Sequence, residues 1–535
     1  MNHINYSEVN KGARRRYRGL MPLACVLVAI ALVCHGLFLF ARYDSIWSLI
    51  FSGASFLICM LISAFFFDVG VVRRIKLRIG EHAAFIVAFF LLGLLYMAVF
   101  SPGNVPDEMY HFNSTYKYSN MLLGQDCADD FISMRGDDIE FQHNVMAAKL
   151  TRHSYESVAT HFRLFVGDGE YGVYEVDSSY PITSNVPQQR VPAALGISLA
   201  KLLGLGSVPL FYIGRFFNFL YAGSLIAAAV YITPIGSNIF KTVALLPMTL
   251  HLVASYSYDA ASLGYAFLFT ALLLRAVRSI EPMRTKEMVA LGAVSFLLGP
   301  CKAIYVILLF GILLVPASRF SSPGKSRLFK LLIIILPLVG VAILRIPSLL
   351  QNTGIATTEP SIGQRGEEFG TFYTLADLIT QPIMTMLLIL RSFDYFGGQW
   401  IMQTVGGSLG WFQEEIAAPT YLVYAFIVLV LISSIRSRDD AGLLNRGEKA
   451  ISLFLCALIV LAAIVALATS WTFNWEYYIF GVQGRYFLPI LPLLCLCIRM
   501  PSLSFDRTIG NGLLLCTVGL NLFYLARIFA IALSL

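Results

Sequence analysis

Apolar residues fall in blocks of about twenty, the length a helix needs to cross a bilayer, and polar residues gather between the blocks. Thirteen blocks can be read, at 20–41, 46–70, 83–101, 208–232, 240–257, 259–277, 288–299, 303–316, 329–346, 419–435, 449–470, 485–500 and 511–533. Backbone groups in lipid must be satisfied within the segment, so these blocks are expected to be helices. The seventh and eighth are too short to cross upright and are read as a shallow hairpin. The pattern predicts an all-α polytopic membrane protein of about 13 transmembrane helices.

Two connections are too long to be turns, 102–190 and 347–418. The first follows the third span and has a soluble protein's composition, with thirteen acids and His111, His143, His153 and His161. The second includes an amphipathic stretch, 375–396, expected to lie on the membrane interface or to re-enter it. A shorter stretch, 192–205, alternates apolar faces around Lys201 and is also placed along the surface. Five units follow. They are a tail with three spans (1–101), a large extracytoplasmic loop with surface helices (102–206), a central bundle (207–346), a second extracytoplasmic loop with an interfacial helix (347–418) and a C-terminal bundle (419–535). There is no repeat of fixed period.

Composition agrees with this reading. The 535 residues are 57% hydrophobic and 13% charged, with a mean hydropathy of +0.71, which excludes a soluble enzyme on one anchor and a disordered chain. Seven of the nine cysteines lie inside apolar blocks and no CxxC occurs, so they read as packing residues and not as a disulfide or metal framework. The basic stretch at 11–18 precedes an apolar run without a small-residue cleavage site, the pattern of a first span and not of a removed signal peptide.

Lysine and arginine are retained on the cytoplasmic side of a membrane. With the N-terminus placed there, 24 of the 39 basic residues fall on inner connections and 23 of the 32 acids fall outside. The C-terminus is then extracytoplasmic. Positive-inside topology and anionic lipid account for the basic face, and no nucleic-acid partner is implied.

The strongest local signal is Val105-Pro106-Asp107-Glu108-Met109-Tyr110-His111, directly after the third span. Proline and two acids suit a helix start. On that helix Asp107 and His111 would share a face, with Glu108 beside His111. Such a face could act as a general base or hold a divalent cation (Mg or Mn) through Asp107, Glu108 and His111. Alternatively, the acids are ordinary capping residues.

Arg215, Asp259, Lys302, Arg391 and Arg485 all lie near outer span ends. Charges there are costly unless they face a partner or a wet cavity. Gln483-Gly484-Arg485-Tyr486 opens the twelfth block, the glycine permitting close backbone approach and the arginine offering a forked donor to phosphate. Upstream, Trp471, Trp475, Tyr477 and Tyr478 could stack on a sugar or form an interfacial belt. No P-loop, GxSxG elbow or HExxH pair occurs.

At these positions the chain resembles a bacterial family of polytopic membrane proteins, domain of unknown function 2142, itself similar to GT-C membrane glycosyltransferases. The family's P-P-D-E-x-x-H appears as Val105 to His111, with valine in place of the first proline. Its R-x-x-N appears as Arg215 to Asn218, and its P-M…S-x-S-x-D as Pro247-Met248 through Ser255 and Ser257 to Asp259. Its K-x-x-Y is matched by Lys302 to Tyr305, its G-x-L-G-W by Gly407 to Trp411, and its Q-G-R-Y-F-x-P by Gln483 to Pro489. Before Pro192, Val186-Pro187-Gln188-Gln189-Arg190 replaces a tyrosine-rich stretch.

The resemblance implies a GT-C-like fold in a bacterial inner membrane. It also implies sugar transfer from a polyprenyl-phosphate donor to a cell-envelope glycan or lipid-linked acceptor on the extracytoplasmic side. Carried over, Asp107 is the base, with Glu108 and His111 as its partners. The substrate and phosphate set is Arg485, Lys302, Arg215, Gln483, Tyr486, Asp259 and Tyr305. A glycan polymerase or ligase, a lipid-linked saccharide flippase and a membrane scaffold are the competing readings. A flippase would place ionisable groups near the bilayer midplane, where Arg527 is the one such residue in the predicted spans.

Overall fold

The computed structural model describes residues 27–67, 82–126, 131–167, 172–177, 186–352 and 371–535. The basic stretch at 11–18 and Arg73, Arg74, Lys76 and Arg78 lie outside the described residues. Three apolar helices come first, α1 (Leu27–Tyr43), α2 (Ile46–Phe67) and α3 (Ala83–Val99). The long connection carries α4 (Glu108–Leu123), β1 (Phe131–Arg135), α5 (Gly136–Asn144), α6 (Arg152–Thr160), β2 (Val173–Asp177) and α7 (Pro187–Leu202). Then come α8 (Ser207–Ile232), α9 (Ser237–Ala244), α10 (Pro247–Val253), α11 (Asp259–Arg278), α12 (Thr285–Cys301), irregular helical turns over Ala303–Leu314, and α13 (Pro323–Asn352). The remainder comprises α14 (Leu375–Thr380), α15 (Pro382–Val405), α16 (Thr420–Ser433), β3 (Arg436–Ser437), α17 (Arg446–Trp471), a 3₁₀ stretch Gly484–Ile490, α18 (Leu491–Ile498), β4 (Ser504–Phe505) and α19 (Gly510–Ser534).

Among the described residues, α8, α11, α17, α19 and Pro323–Ile343 of α13 are long and apolar enough to cross a membrane. Six further apolar helical segments run over 10–17 described residues, and α2 extends to Phe67. The chain is a mostly helical membrane protein with five candidate spans among the described residues, and two of the expected blocks are interrupted for local reasons. The block at 240–257 divides because Leu246 is extended (φ −63°, ψ 142°) before Pro247, which has no amide hydrogen and opens α10. The buried Asn521 of α19 repairs that break by donating from Nδ2 to the Leu245 carbonyl at 2.9 Å. It also accepts the Tyr96 hydroxyl of α3 at 2.7 Å. The block at 485–500 opens as tight 3₁₀ turns containing Pro489.

Two short strand pairs accompany the helices. Phe131–Arg135 pairs antiparallel with Val173–Asp177, and β3 pairs parallel with β4 over two residues. In the first pair Ile132 and Met134 are buried. The stretch read as 375–396 is two helices that separate at Gln381 and Pro382, and it runs on to Val405. The surface stretch at 192–205 begins earlier, at Pro187.

Charge is sorted along the bundle. Helix α11 has 20 residues, so its ends lie about 30 Å apart. Asp259 opens it and Arg275 and Arg278 close it. Around its C-terminus Arg278 pairs with Glu448, Arg319 donates to the Ala276 carbonyl at 3.0 Å, and Arg499 forks onto Asp440 at 2.9 and 3.0 Å. The residues singled out as candidate chemistry gather at the other end. Arg527, read as a charge within the last span, sits near that end of α19, and its guanidinium is held by the carbonyls of Ile416 and Ala417 at 3.3 and 2.9 Å.

Small residues let helices approach closely where no hydrophobic effect drives them together. Helix α7 meets α8 at Gly196, where a Cβ would lie 2.7 Å from the Ile213 carbonyl oxygen and 3.0 Å from Gly214 Cα. Backbone atoms cannot rotate away, so Gly196→Val must push the helices apart. A cost of about 1–3 kcal/mol is expected, read as a lower thermal midpoint in detergent or nanodiscs. An unchanged midpoint would show that the two helices do not make this contact.

Candidate functional site

The two neighbouring acids of the early motif face different ways. Glu108, the first residue of α4, is fully buried and pairs with Arg215 of α8. Arg215 Nε donates to Oε1 at 2.8 Å and Nη2 to Oε2 at 2.5 Å. Its remaining hydrogens go to the carbonyls of Met97, Phe100 and Ser101 at 3.2, 2.6 and 3.1 Å. All five guanidinium donors are thus used. Glu108 also accepts from the backbone of Gly103 at 3.0 Å and Tyr256 at 3.3 Å. Arg215, expected among the phosphate ligands, has no donor left for one, and Glu108 is not an orienting partner of Asp107. Together they lock the end of α3, the start of α4 and the 255–257 turn into one frame. Asn218, one turn along α8, adds bonds to the carbonyls of Ser255 at 2.7 Å and Ser257 at 3.4 Å.

Asp107 behaves differently. It occupies the N-cap position of α4 in the left-handed region (φ 59°, ψ 19°), yet its side chain makes no capping hydrogen bond. The carboxylate is exposed. A non-glycine residue at positive φ is uncommon and costs local strain. The Asp107 carbonyl still accepts the His111 amide at 2.9 Å, so the backbone of Asp107 stays on the first turn of α4. No group of three or more His, Cys, Asp or Glu residues arranged to hold a metal occurs among the described residues. This corrects the cation site expected from Asp107, Glu108 and His111, because Glu108 turns to Arg215 and His111 to Arg190.

His111 is buried, and its Nδ1 lies 2.8 Å from Arg190 Nη2. A guanidinium only donates, so Nδ1 must accept and the proton sits on Nε2. Burial, then the charges of Arg190 and Arg485, hold the imidazole well below its ordinary range. Arg190 itself was noticed in the sequence only as part of a departure from a family pattern. It is fully buried on α7, and it reaches the His111 and Tyr256 carbonyls at 3.3 Å each. Its guanidinium also lies over the rings of Tyr110 at 5.6 Å and Tyr258 at 5.7 Å.

The helix break after α12 presents Lys302. Its Nζ reaches Asp259 Oδ1 at 3.0 Å and lies 3.7 Å above the Tyr486 ring. Arg485 Nε stands 3.4 Å from Asp259 Oδ2, an ion pair too skewed to be a hydrogen bond. Asp107 is close enough for its charge to act on Arg485. Tyr305 donates to the Tyr486 carbonyl at 2.9 Å and so ties the K-x-x-Y segment to the 3₁₀ stretch. Gly484 is pressed against α15, where a Cβ would fall 2.1 Å from the Trp400 carbonyl oxygen. Its amide donates to Gln403 Oε1 at 2.9 Å. Arg391, grouped with these charges in the sequence, is elsewhere, on the first half of α15.

Four of the six motif segments line one tight cleft, with a volume of about 10 Å³, through Pro106, His251, Gly410, Gln483 and Arg485. Three buried polar atoms on its walls, His251 Nδ1, Gln483 Oε1 and Arg485 Nε, have no hydrogen-bond partner. Unsatisfied buried polar groups are rare in folded proteins and here converge on one space. The nearby charges are Arg190, Lys302 and Arg485 against Asp259 and Asp107, an excess of one positive charge. The cleft is thus prepared for an anion with hydrogen-bonding oxygens. It shares Gln403, Ser408, Phe412 and Gln483 with a larger cleft of about 460 Å³ walled by Phe396, Trp400 and Phe480.

A family model described as a predicted membrane protein (DUF2142) matches residues 89–494, an interval that contains every residue of this site. No curated protein and no solved structure matches the chain.

Two outcomes follow from the buried pairs. Glu108→Gln strands Arg215 without its counter-charge, and a loss of about 3–5 kcal/mol should appear as little folded protein after extraction. Near-normal yield and thermal midpoint would contradict the frame. For His111, the unfolded chain takes up a proton as pH falls through about 6.5 while the folded chain does not. Stability should therefore be flat above that pH and decline below it, and His111→Gln should flatten the slope. Thermal midpoints between neutral and mildly acid pH test this, and an identical slope in the variant would refute it.

Proposed function

The chain belongs to the family of predicted membrane proteins described as DUF2142, and from that premise we propose that it is a membrane-embedded glycosyltransferase. It moves a sugar from a polyprenyl-phosphate donor to a cell-envelope glycan or lipid-linked acceptor. The work is done on the extracytoplasmic side of a bacterial inner membrane. The observation that carries this reading is the convergence of separate chain segments on one cleft with unsatisfied polar atoms and a positive excess, with the exposed Asp107 carboxylate close enough for its charge to act on Arg485. Its position at one end of the bundle, about one membrane thickness from the Arg278, Arg319 and Arg499 cluster, matches a site at the outer boundary.

In this mechanism Asp107 accepts the proton of the acceptor hydroxyl as that oxygen bonds to the anomeric carbon. The bond from the anomeric carbon to the phosphate oxygen breaks, and the electron pair leaves with the phosphate. Arg485 and Lys302 stabilise the charge that develops there, in a site where burial strengthens their effect. Asp259 holds both cations in place, the Tyr486 ring lies under Lys302 Nζ, and Tyr305 ties the Tyr486 backbone to the same segment. Gln483 offers its unpaired amide oxygen to a sugar hydroxyl. Arg215 and Glu108 serve this chemistry only by building the frame that displays Asp107.

Asp107→Asn should lower turnover about 10²–10⁴-fold in a reconstituted assay with polyprenyl-phosphate sugars, with membrane insertion and thermal midpoint retained. Undiminished transfer would remove the assignment of the base. A donor analogue found between the leaflets, and not beside Arg485, would instead support the flippase reading.

A further inference from the structure

His251 lines the tight cleft but takes no part in the transfer step. It belongs to α10, a helix of seven residues that are all buried. We infer that His251 is a further substrate-contacting residue, a neutral imidazole whose Nδ1–H donates to one oxygen of a phosphate ester held beside Arg485.

The ring is fixed from two sides. The Gly410 amide donates to Nε2 at 3.3 Å, and a nitrogen that accepts must carry its lone pair, so the single ring proton sits on Nδ1. Gly410 holds a φ of 63°, and a Cβ there would fall 3.0 Å from Asn104 Oδ1. Only glycine takes that turn without strain, and the turn is what brings the amide to the imidazole. Phe100 packs against the ring at 74°, with centroids 4.6 Å apart. It is anchored in turn, because its carbonyl accepts from Arg215 at 2.6 Å.

What remains is a donor without an acceptor. His251 is only 3% exposed and its Nδ1 has no hydrogen-bond partner, a costly state for a buried polar group. Arg485 lines the same cleft with its Nε also unsatisfied. A volume of about 10 Å³ is roughly that of one water-sized sphere. One oxygen fits there and a sugar ring does not. An oxygen that accepts from an ionised guanidinium is held best when it is itself charged, as a phosphate oxygen is. His251 keeps its proton throughout and supplies a hydrogen bond, not an acid.

The rest of the substrate has a place beside it. Of the three residues with unsatisfied atoms, Gln483 alone also lines the larger cleft, whereas His251 and Arg485 line only the tight one. At about 460 Å³ the larger cleft has the size of a small-molecule site. The sugar therefore lies there against Gln483, and the phosphate sits at the junction with one oxygen turned to His251 and Arg485. Only the identity of that phosphate as the donor lipid's rests on the transferase reading.

The test is calorimetric titration of the full chain in nanodiscs with farnesyl phosphate, and with farnesol as the phosphate-free control. His251→Gln can still offer an amide oxygen to Gly410 but has no donor at the Nδ1 position, whereas His251→Asn can place an amide donor there. His251→Gln should weaken farnesyl phosphate about tenfold at an unchanged thermal midpoint and leave farnesol unaffected, and His251→Asn should recover most of the loss. Wild-type affinity in His251→Gln would overturn the inference and make the space a hydration site. An equal loss for farnesol would overturn it too, as would absence of farnesyl phosphate binding by the wild type. Nitrogen NMR of the histidine-labelled wild type needs no variant. A ring protonated on Nδ1 should shift when farnesyl phosphate is added, and a response confined to rings protonated on Nε2 would refute the assignment. Binding that depends on His251 in a chain that transfers no sugar would sink the transferase reading alone. Sugar transfer with an unchanged kcat/KM in His251→Gln, in place of a fall of about 10²-fold, would sink this inference alone.

Discussion

The buried pair of Glu108 and Arg215 is the constraint on which the rest of the site depends. A guanidinium placed where no water reaches must find a partner for each of its hydrogens. Arg215 finds them on the carboxylate and on three carbonyls at the end of α3. Those carbonyls are the orphan acceptors that any helix end leaves behind. Glu108 meanwhile takes up the amides of Gly103 and Tyr256, so the turn before α4 and the turn before α11 are set by the same ion pair. With its neighbour pulled inward, Asp107 has little choice of direction. The chain enters α4 through a left-handed turn and leaves that carboxylate exposed. Strain at Asp107 is thus offset by burial of the residue beside it, which is how a carboxylate comes to be displayed without support from its own side chain.

Much of this architecture was legible as pattern and little of it as partnership. Blocks of apolar residues located the long helices, because a segment in lipid must satisfy its own backbone and so keeps a recognisable length. They failed where one residue interrupts the ladder. Pro247 was visible in the sequence, but a hydropathy window averages over a missing amide. The strands at 131–135 and 173–177 were overlooked because each is five residues long and their pairing spans forty positions. In the early motif the direction of each acid was not legible, since nothing local shows that Glu108 turns inward to Arg215 while Asp107 is left exposed at a φ of 59°. Arg190 was hidden for a different reason. Nothing local in Gln188-Gln189-Arg190 foretells a histidine partner 79 positions earlier.

The two ends of the bundle treat charge in opposite ways. Around the C-terminus of α11 the arginines are consumed, with Arg499 on Asp440 and Arg319 on backbone and hydroxyl oxygens. Such groups anchor helix ends and have little left to give. Around its N-terminus the bonding is incomplete. Asp259 is shared between two cations, Arg485 keeps Nε outside any well-formed hydrogen bond, and Gln483 keeps an amide oxygen idle. A protein that needed these residues only for stability would gain from completing the set, although the other end too leaves Arg278 Nε without a partner. The shortfall is the physical mark of a place reserved for something else.

What that something can be is narrowed further by His111. A proton on its imidazole would add a fourth positive charge beside Arg190, Lys302 and Arg485, and would set donor against donor at the 2.8 Å contact with Arg190. The folded chain avoids this by keeping the ring neutral, which holds the local excess at one charge and leaves Arg190 an acceptor. The cleft is therefore tuned to a modest negative charge, and not simply made as basic as possible. A site that only captured anions would benefit from more cations. The neutral histidine, the shared aspartate and the unfinished bonding of Arg485 together keep that excess small.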